Sequence, residues 1–322
     1  METIEKPYVI GLDLGGTNSV FGIVDARGEI KATTAIKTKG YPDPKDYVDA
    51  AVTALEPIIE SVGGIDKIKG MGIGAPNGNY YTGQVEEAPN LDWKGCVPLA
   101  KLFNEKLGIP VALTNDANAA AMGEMTYGIA RGMKNFIMIT LGTGVGSGVV
   151  VNGQIVYGCD GFAGELGHAI IDRSPEARQC GCGRKGCLEA YCSATGIVRT
   201  AREMLIKDAR PSKLRSINPD DITGLDVSVA AKEGDELANA ILEYTGTLLG
   251  KACANFALFC SPEAFIFFGG PTKSGELLMK HVREAYDNDI LYVYKGKAKL
   301  LLSGLNGSDA AVLGASALGW EL

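Results

Sequence analysis

Two apolar runs that each break at a cluster of glycines and then resume constrain this chain more than any other feature. Tyr8 to Leu14 is a short aliphatic and β-branched run that ends in Gly15-Gly16-Thr17-Asn18, and Val20 to Val24 carries the apolar pattern on. Phe136 to Leu141 repeats the theme, followed by Gly142-Thr143-Gly144-Val145-Gly146-Ser147-Gly148 and then Val149 to Val151. Each unit reads as a strand, a glycine turn and a second strand. The chain has 322 residues and is 46% hydrophobic, enough for a substantial core, and at roughly 150 residues per domain two lobes with a cleft between them are expected.

Helical spacing covers Lys45 to Val62, Val97 to Leu107, Ala117 to Tyr127, Leu188 to Ile206, Glu236 to Phe259, Gly275 to Tyr286 and Ala310 to Gly319. Ile68 to Ile73, Val111 to Thr114 and Phe265 to Phe268 read as buried strands. Strands alternating with helices argue for an α/β protein with mixed sheets. Lys207 to Thr223 is polar, with Pro211 and Pro219, and reads as an exposed connection. The lobes are placed at 1–118 and 119–305, with the last helix, about 306–322, returning to the first lobe. The long helix Glu236 to Phe259 either packs inside its lobe or forms a subunit contact.

Asp and Glu outnumber Lys and Arg, 38 to 31, for a net charge of −7, which argues against nucleic acid as a partner because phosphate backbones are held by clustered cations. The opening residues carry no secretory pattern and no apolar run approaches the length of a membrane span. A cytoplasmic protein is expected, and Asn306-Gly307-Ser308 is read as a chance match to the glycosylation pattern.

Asp13-Leu14-Gly15-Gly16-Thr17-Asn18 sets a carboxylate at a strand end, then two residues able to take positive φ, then a hydroxyl. Backbone amides in a turn without β-carbons approach phosphate oxygens closely, and Asp13 can engage Mg²⁺ directly or through water. A tight hairpin with no ligand is the alternative for one such turn, but the second, Gly142-Thr143-Gly144, holds more glycine than a hairpin requires. The chain contains no G-x-x-x-x-G-K-[S/T], and neither turn fits G-x-G-x-x-G.

Cys180, Cys182 and Cys187 crowd into eight positions, and His168 lies twelve positions before the first of them. Tetrahedral Zn²⁺ takes four sulfur or nitrogen ligands, so three cysteines leave one vacancy. His168 fills it, with Cys159 or Cys192 as the other candidates; free thiols in a glycine loop are the reading without metal. Four protein ligands leave no open position for water, which points to a structural role and away from zinc hydrolysis.

The paired glycine hairpins resemble the superfamily of actin, sugar kinases and chaperone ATPases, in which duplicated lobes each contribute a hairpin to ATP. Phe267-Phe268-Gly269-Gly270-Pro271 stands where that superfamily carries a third glycine element on the nucleoside, although a plain strand-ending turn has the same form. Asp13 to Asn18, Asn115-Asp116, Leu141 to Gly148, Glu165-Leu166-Gly167-His168 and Cys180-Gly181-Cys182-Gly183-Arg184-Lys185-Gly186-Cys187-Leu188-Glu189 together are similar to the ROK family of sugar kinases and sugar-responsive repressors.

The resemblance implies an α/β actin-like ATPase (ribonuclease H-like) fold, duplicated, with central mixed sheets and an interlobe cleft. It implies ATP-dependent phosphorylation of a hexose at the 6-hydroxyl, most simply glucose, with ATP, Mg²⁺ and structural Zn²⁺ as cofactors and a homodimer or homotetramer as the assembly. Asp116 carries over as general base, Asn115, Glu165, His168, Glu189 and Asn90 as sugar contacts, and His168, Cys180, Cys182 and Cys187 as zinc ligands. Asp13, Gly15, Gly16, Thr17, Asn18, Gly142, Thr143, Gly144, Gly269 and Gly270 fall to the nucleotide. The late Gly269-Gly270-Pro271 departs from the longer glycine run frequent in the family, which leaves the adenosine contacts open.

Read without the family, Asp116 is also a natural helix N-cap. Repressors of the family carry a DNA-binding module ahead of the first hairpin; that hairpin begins here within fifteen residues, so a kinase is expected. Other hexoses, N-acetylhexosamines and a non-catalytic sugar sensor are the competing readings.

Overall fold

The computed structural model describes residues 5–305 and 309–322. The Asn306-Gly307-Ser308 tripeptide, where the last segment was expected to begin, lies outside the described residues. The chain divides into two compact units, one of Met1–Met133, Ile155–Ala163 and Gly304–Leu322, the other of Lys134–Gln154 and Gly164–Ser303.

In the first unit a five-stranded sheet runs in the spatial order Ile30–Lys37, Asn18–Asp25, Tyr8–Leu14, Ile68–Ala75, Val111–Asn115. The first two pairings are antiparallel and the last two parallel. The central strands are buried nearly throughout, whereas Ile30–Lys37 alternates between half-buried and exposed, as an edge strand with one wet face does.

Helix Ala310–Gly319 is apolar all round and almost wholly buried. It lies directly on the sheet because Gly11 and Gly72 have no side chains: a Cβ there would meet the Val312 carbonyl oxygen at 2.3 Å or that of Ala315 at 1.9 Å. Helix Asp116–Thr126 packs against it in turn, and a Cβ at Gly123 would stand 2.8 Å from Gly314 Cα. This packing carries the first unit past the expected boundary at 118 to Met133. Residues 155–163 join the same unit, held by Asn79 Nδ2 donating to the Asp160 carbonyl at 2.7 Å, Tyr81 donating to the Gly158 carbonyl at 2.8 Å, and Tyr80 stacked on Tyr157 at 4.1 Å.

The second unit repeats the plan. Its sheet runs Gln154–Ile155, Val145–Val151, Phe136–Leu141, Ala264–Gly269, Lys299–Leu302, with an antiparallel hairpin followed by two parallel pairings. Helices Glu236–Cys260 and Glu276–Asp289 cover it, packed so closely that a Cβ at Gly250 would meet the Val282 carbonyl at 2.3 Å. Leu249, Phe256, Phe265, Phe267 and Val282 share the resulting core.

Three expectations need correction. The helix expected from Val97 begins at Leu99, because Cys96–Val97 pairs as a short strand and Pro98 occupies the cap. The helix expected over Leu188 to Ile206 is two helices, Glu189–Cys192 and Ala194–Lys207, parted at an extended Ser193. The connection expected at Lys207 to Thr223 is docked: Leu214 and Ile222 are buried with helices Ala194–Lys207, Gly224–Lys232 and Glu236–Cys260.

Candidate active site and metal centre

The first glycine turn closes with the Gly15 amide donating to the Asn18 carbonyl at 3.1 Å, and Thr17 accepts the Thr38 amide at 2.9 Å. The Gly16 and Thr17 amides have no partner among the described residues. Neither Gly15 nor Gly16 takes positive φ; what requires glycine at Gly16 is close approach, since a Cβ there would stand 3.0 Å from the Asn90 carbonyl oxygen. The structure thus brings Asn90 against the turn.

Asp13 stands near the end of its strand, and its neighbouring strands carry Gly74 and Thr114, the residue before Asn115, at the same level. Burial, and then the charge of Asp116, push the Asp13 carboxyl up to about 6. Asp116 opens helix Asp116–Thr126, but the cap is Asn115, whose Oδ1 accepts the Ala117 and Asn118 amides at 2.8 and 3.4 Å. Asp116 is exposed and is not needed as the cap; the positive end of the helix dipole favours its negative charge.

In the second unit the Gly142 amide donates to the Gly144 carbonyl at 2.9 Å, and the Thr143 and Gly144 amides have no partner among the described residues. Both turns therefore present two consecutive open amides, the arrangement that binds phosphate oxygens. Gly269, expected beside them, pairs in register with Leu141 at φ 115°, and a Cβ would collide with the Leu141 carbonyl at 2.0 Å. Gly270 follows in a single 3-10 turn, Gly270–Ser274.

Glu189 packs against the same turn. Its Oε2 accepts the Val145 amide at 3.0 Å, and a Cβ on Gly144 would be 2.3 Å from that oxygen. Its Oε1 lies 3.6 Å from Cys180 Sγ. The Glu165–His168 segment is tied to the second hairpin by Ser147, whose Oγ accepts the Leu166 amide at 3.1 Å and donates to the Gly164 carbonyl. Gly167 has no alternative, because a Cβ would lie 1.9 Å from the Val145 carbonyl oxygen. The Glu165 backbone carbonyl accepts the His168 amide at 3.1 Å, and its side chain is exposed.

His168, Cys180, Cys182 and Cys187 place their ligand atoms within 4.8 Å of one another. Cys182 and Cys187 Sγ are 3.6 Å apart and His168 Nδ1 is 3.8 Å from Cys180 Sγ, close to the edge of about 3.8 Å that a tetrahedron with 2.3 Å Zn–S bonds demands. The loop is shaped for this: Gly183 and Gly186 take positive φ, and the Cys180 amide donates to the Arg184 carbonyl at 2.8 Å. Burial raises Cys180 and Cys187; at Cys182 burial is outweighed by the Arg184 amide and side chain and by the adjacent thiols, which bring it down to about 6. The donor set fits a structural Zn²⁺. Cys192 is not part of it, being fully buried with its thiol toward the Thr245 carbonyl, and Cys159 belongs to the 155–163 segment of the first unit.

Sequence reasoning missed Ser193, Thr195 and Arg178. Thr195 Oγ1 donates to the Thr143 carbonyl at 2.9 Å, and the buried Arg178 guanidinium bridges the Ala190 and Gly196 carbonyls at 3.1 and 3.3 Å. The signal was present in Ser193-Ala194-Thr195-Gly196, a capping pattern inside an otherwise helical stretch.

Residues 9–321 match the ROK family. The glucokinase of Halalkalibacterium halodurans is 36% identical across 97% of this chain and 94% of that protein, and that of Thermotoga maritima 34% identical across 97% of each. A ROK family glucokinase from Streptomyces griseus, solved in complex with glucose and AMPPNP, matches with a TM-score of 0.79 at 32% identity, over 98% of this chain and 100% of that one. The fold is the duplicated actin-like ATPase fold. Profile, full-length identity and the C-x-C-G-x-x-G-C-x-E loop with its histidine agree: the chain belongs to the ROK family.

Proposed function

We propose that this protein is an ATP-dependent glucokinase that transfers the γ-phosphoryl group to the 6-hydroxyl of glucose. The observation that carries the reading is the pair of open consecutive amides at both glycine turns, in a chain that matches a glucose- and AMPPNP-bound glucokinase along 98% of its length. Gly15 to Asn18 and Gly142 to Gly144 hold the phosphates, with Gly269 and Gly270 beside the nucleoside. Asp13 is the carboxylate suited to Mg²⁺, which when bound offsets phosphate charge; a carboxyl raised by burial and by like charge is relieved by a cation.

Asp116 orients the sugar hydroxyl and accepts its proton. Phosphoryl transfer passes through a loose transition state, so the proton leaves late and an ordinary ionised carboxylate suffices. Most of the acceleration comes from alignment and from amides placed against the transferring charge. Asn90, Asn115, Glu165, His168 and Glu189 bind sugar hydroxyls, each of which donates and accepts, so a missing or inverted hydroxyl leaves polar groups unpaired. His168, Cys180, Cys182 and Cys187 would hold Zn²⁺, which would fix the loop that carries His168 and Glu189 without doing chemistry on the sugar. With Nδ1 toward the thiols, His168 has Nε2 for a hydroxyl.

Among the described residues no helix is long and apolar enough to cross a membrane, and a cytoplasmic location fits a kinase of free sugar and ATP. The exposed Leu258 and Phe259 at the end of helix Glu236–Cys260 support a homodimer or homotetramer. The test is ADP release with Mg-ATP across glucose, mannose, fructose, N-acetylglucosamine and N-acetylmannosamine. Turnover concentrated on glucose is expected; turnover on another sugar reassigns the substrate, and sugar-dependent stabilisation without ADP release on any of them refutes the kinase.

A further inference from the structure

The second glycine turn is held by a break in a helix. Ser193 leaves helical backbone at φ −70° and ψ 169°, and its side chain accepts the Gly196 amide at 3.0 Å, so helix Glu189–Cys192 ends and helix Ala194–Lys207 begins afresh. The fresh start aims two donors at the turn. The Ala194 amide donates to the Gly142 carbonyl at 2.9 Å, and Thr195 Oγ1 donates to the Thr143 carbonyl at 2.9 Å. Ser193 Oγ gives its one proton to the Glu189 carbonyl at 2.7 Å and lies 2.9 Å from Thr195 Oγ1.

With the Gly144 carbonyl taking the Gly142 amide, every carbonyl from Gly142 to Gly144 is occupied. The peptide unit is planar and trans, so its C=O and N–H point in opposite directions. Fixing the Gly142 carbonyl therefore fixes the direction of the Thr143 N–H, and fixing the Thr143 carbonyl fixes that of the Gly144 N–H. These are the two amides with no partner among the described residues.

We infer that Thr195 is a positioning residue for the phosphate end of the nucleotide: anchoring the Thr143 carbonyl, it aims the Gly144 amide. The inference rests on the kinase reading and deepens it. The anchor is stiff, because Arg178 spans the break through the Ala190 and Gly196 carbonyls, donates to Thr200 at 2.9 Å and stacks on Tyr191 at 4.6 Å. Thr195 is itself exposed, and the helix cap is supplied by Ser193, so the hydroxyl is dispensable to the fold. The Cys180, Cys182, Cys187 and His168 cluster does not include it.

The test is Thr195→Val and Thr195→Ala, with Thr195→Ser as the conservative variant, read by steady-state kinetics on glucose and Mg-ATP, by calorimetric titration of Mg-ADP, and by zinc content. One hydrogen bond lost from a preorganised turn raises KM for ATP and Kd for Mg-ADP about threefold to tenfold, while KM for glucose and zinc content stay at the wild-type values and Ser restores the nucleotide affinity. Wild-type nucleotide affinity in Val and Ala, or a parallel rise in KM for glucose, overturns the inference. Wild-type protein that releases no ADP on any sugar, yet binds Mg-ADP with an affinity that falls in Val and Ala, refutes the kinase and upholds Thr195. Normal turnover with unchanged Mg-ADP affinity in the variants does the reverse.

Discussion

Glu189 accepts the Val145 amide through Oε2 at 3.0 Å. Its other oxygen lies 3.6 Å from Cys180 Sγ, so one carboxylate joins the metal loop to the second glycine turn. Loss of metal therefore disturbs more than the loop. Cys182→Ser, or dialysis against a strong chelator, is expected to take zinc from about one per chain to near zero and to raise KM for glucose about tenfold or more, in the range found for supporting residues of metal sites. Elemental analysis beside a glucose titration decides it; full sugar affinity in metal-free protein would end the structural role.

Asp116→Asn keeps the shape of the side chain and removes its capacity to take a proton. Because Asn115 supplies the helix cap, thermal stability is expected to stay near wild type. The turnover number falls about 10²- to 10⁴-fold, the usual range for a general base, while glucose Kd by calorimetry changes only a fewfold. Near-normal turnover would remove Asp116 from the mechanism.

Asp13 predicts a pH dependence whose sign follows from its burial. Its folded carboxyl sits at about 6 against an ordinary 3.8, so between those values the folded state holds a proton that the unfolded chain has released. For this group stability falls as pH rises through that window and is fully lost above the folded value. Asp13→Asn is therefore expected to raise the melting temperature at pH 7.5 by a few degrees while abolishing Mg-dependent turnover. In the wild type, Mg²⁺ favours the carboxylate, so the acid limb of activity moves below pH 6 as Mg²⁺ is raised. An acid limb indifferent to Mg²⁺ would separate Asp13 from the cation.

The hairpins were legible because their signal is local: apolar runs on either side of Gly15-Gly16 and Gly142-Thr143-Gly144 need no knowledge of what packs on them. The edge strand Ile30–Lys37 was not, since Lys, Thr and Ala on its wet face dilute the apolar period. Strands Gly78–Asn79, Gln84–Glu86 and Cys96–Val97 are too short to carry any period at all. Ser193 hid because the residues on both sides of it are helical, and only the pull of the turn on Ala194 and Thr195 makes sense of the break. The sequence put His168 ahead of Cys159 and Cys192 as fourth metal ligand, and the fold brings His168 together with the three cysteines while the Cys192 thiol faces the Thr245 carbonyl. Gly15 and Gly16 were read as residues free to take positive φ; they have ordinary φ, and the neighbour that demands glycine at Gly16, Asn90, is distant in sequence.

Gly167 and Gly142 make a matched pair for a final prediction, because both sit at the site and only one is sterically committed. A Cβ on Gly167 would lie 1.9 Å from the Val145 carbonyl oxygen, and both sides of that collision are backbone, so neither can rotate away. The strand bearing Val145 is paired to Phe136–Leu141, which leaves the Glu165–His168 segment to move instead. Gly142 has nothing within 4 Å of its Cβ position and no positive φ. Gly167→Ala is accordingly expected to lower stability by about 1–3 kcal/mol, as overpacking does, and to displace His168, weakening zinc retention and glucose binding together. Gly142→Ala should melt within a degree or two of wild type and keep its zinc. The two variants are compared by thermal melting and elemental analysis; equal behaviour would show that the Glu165–His168 segment is not seated on Val145.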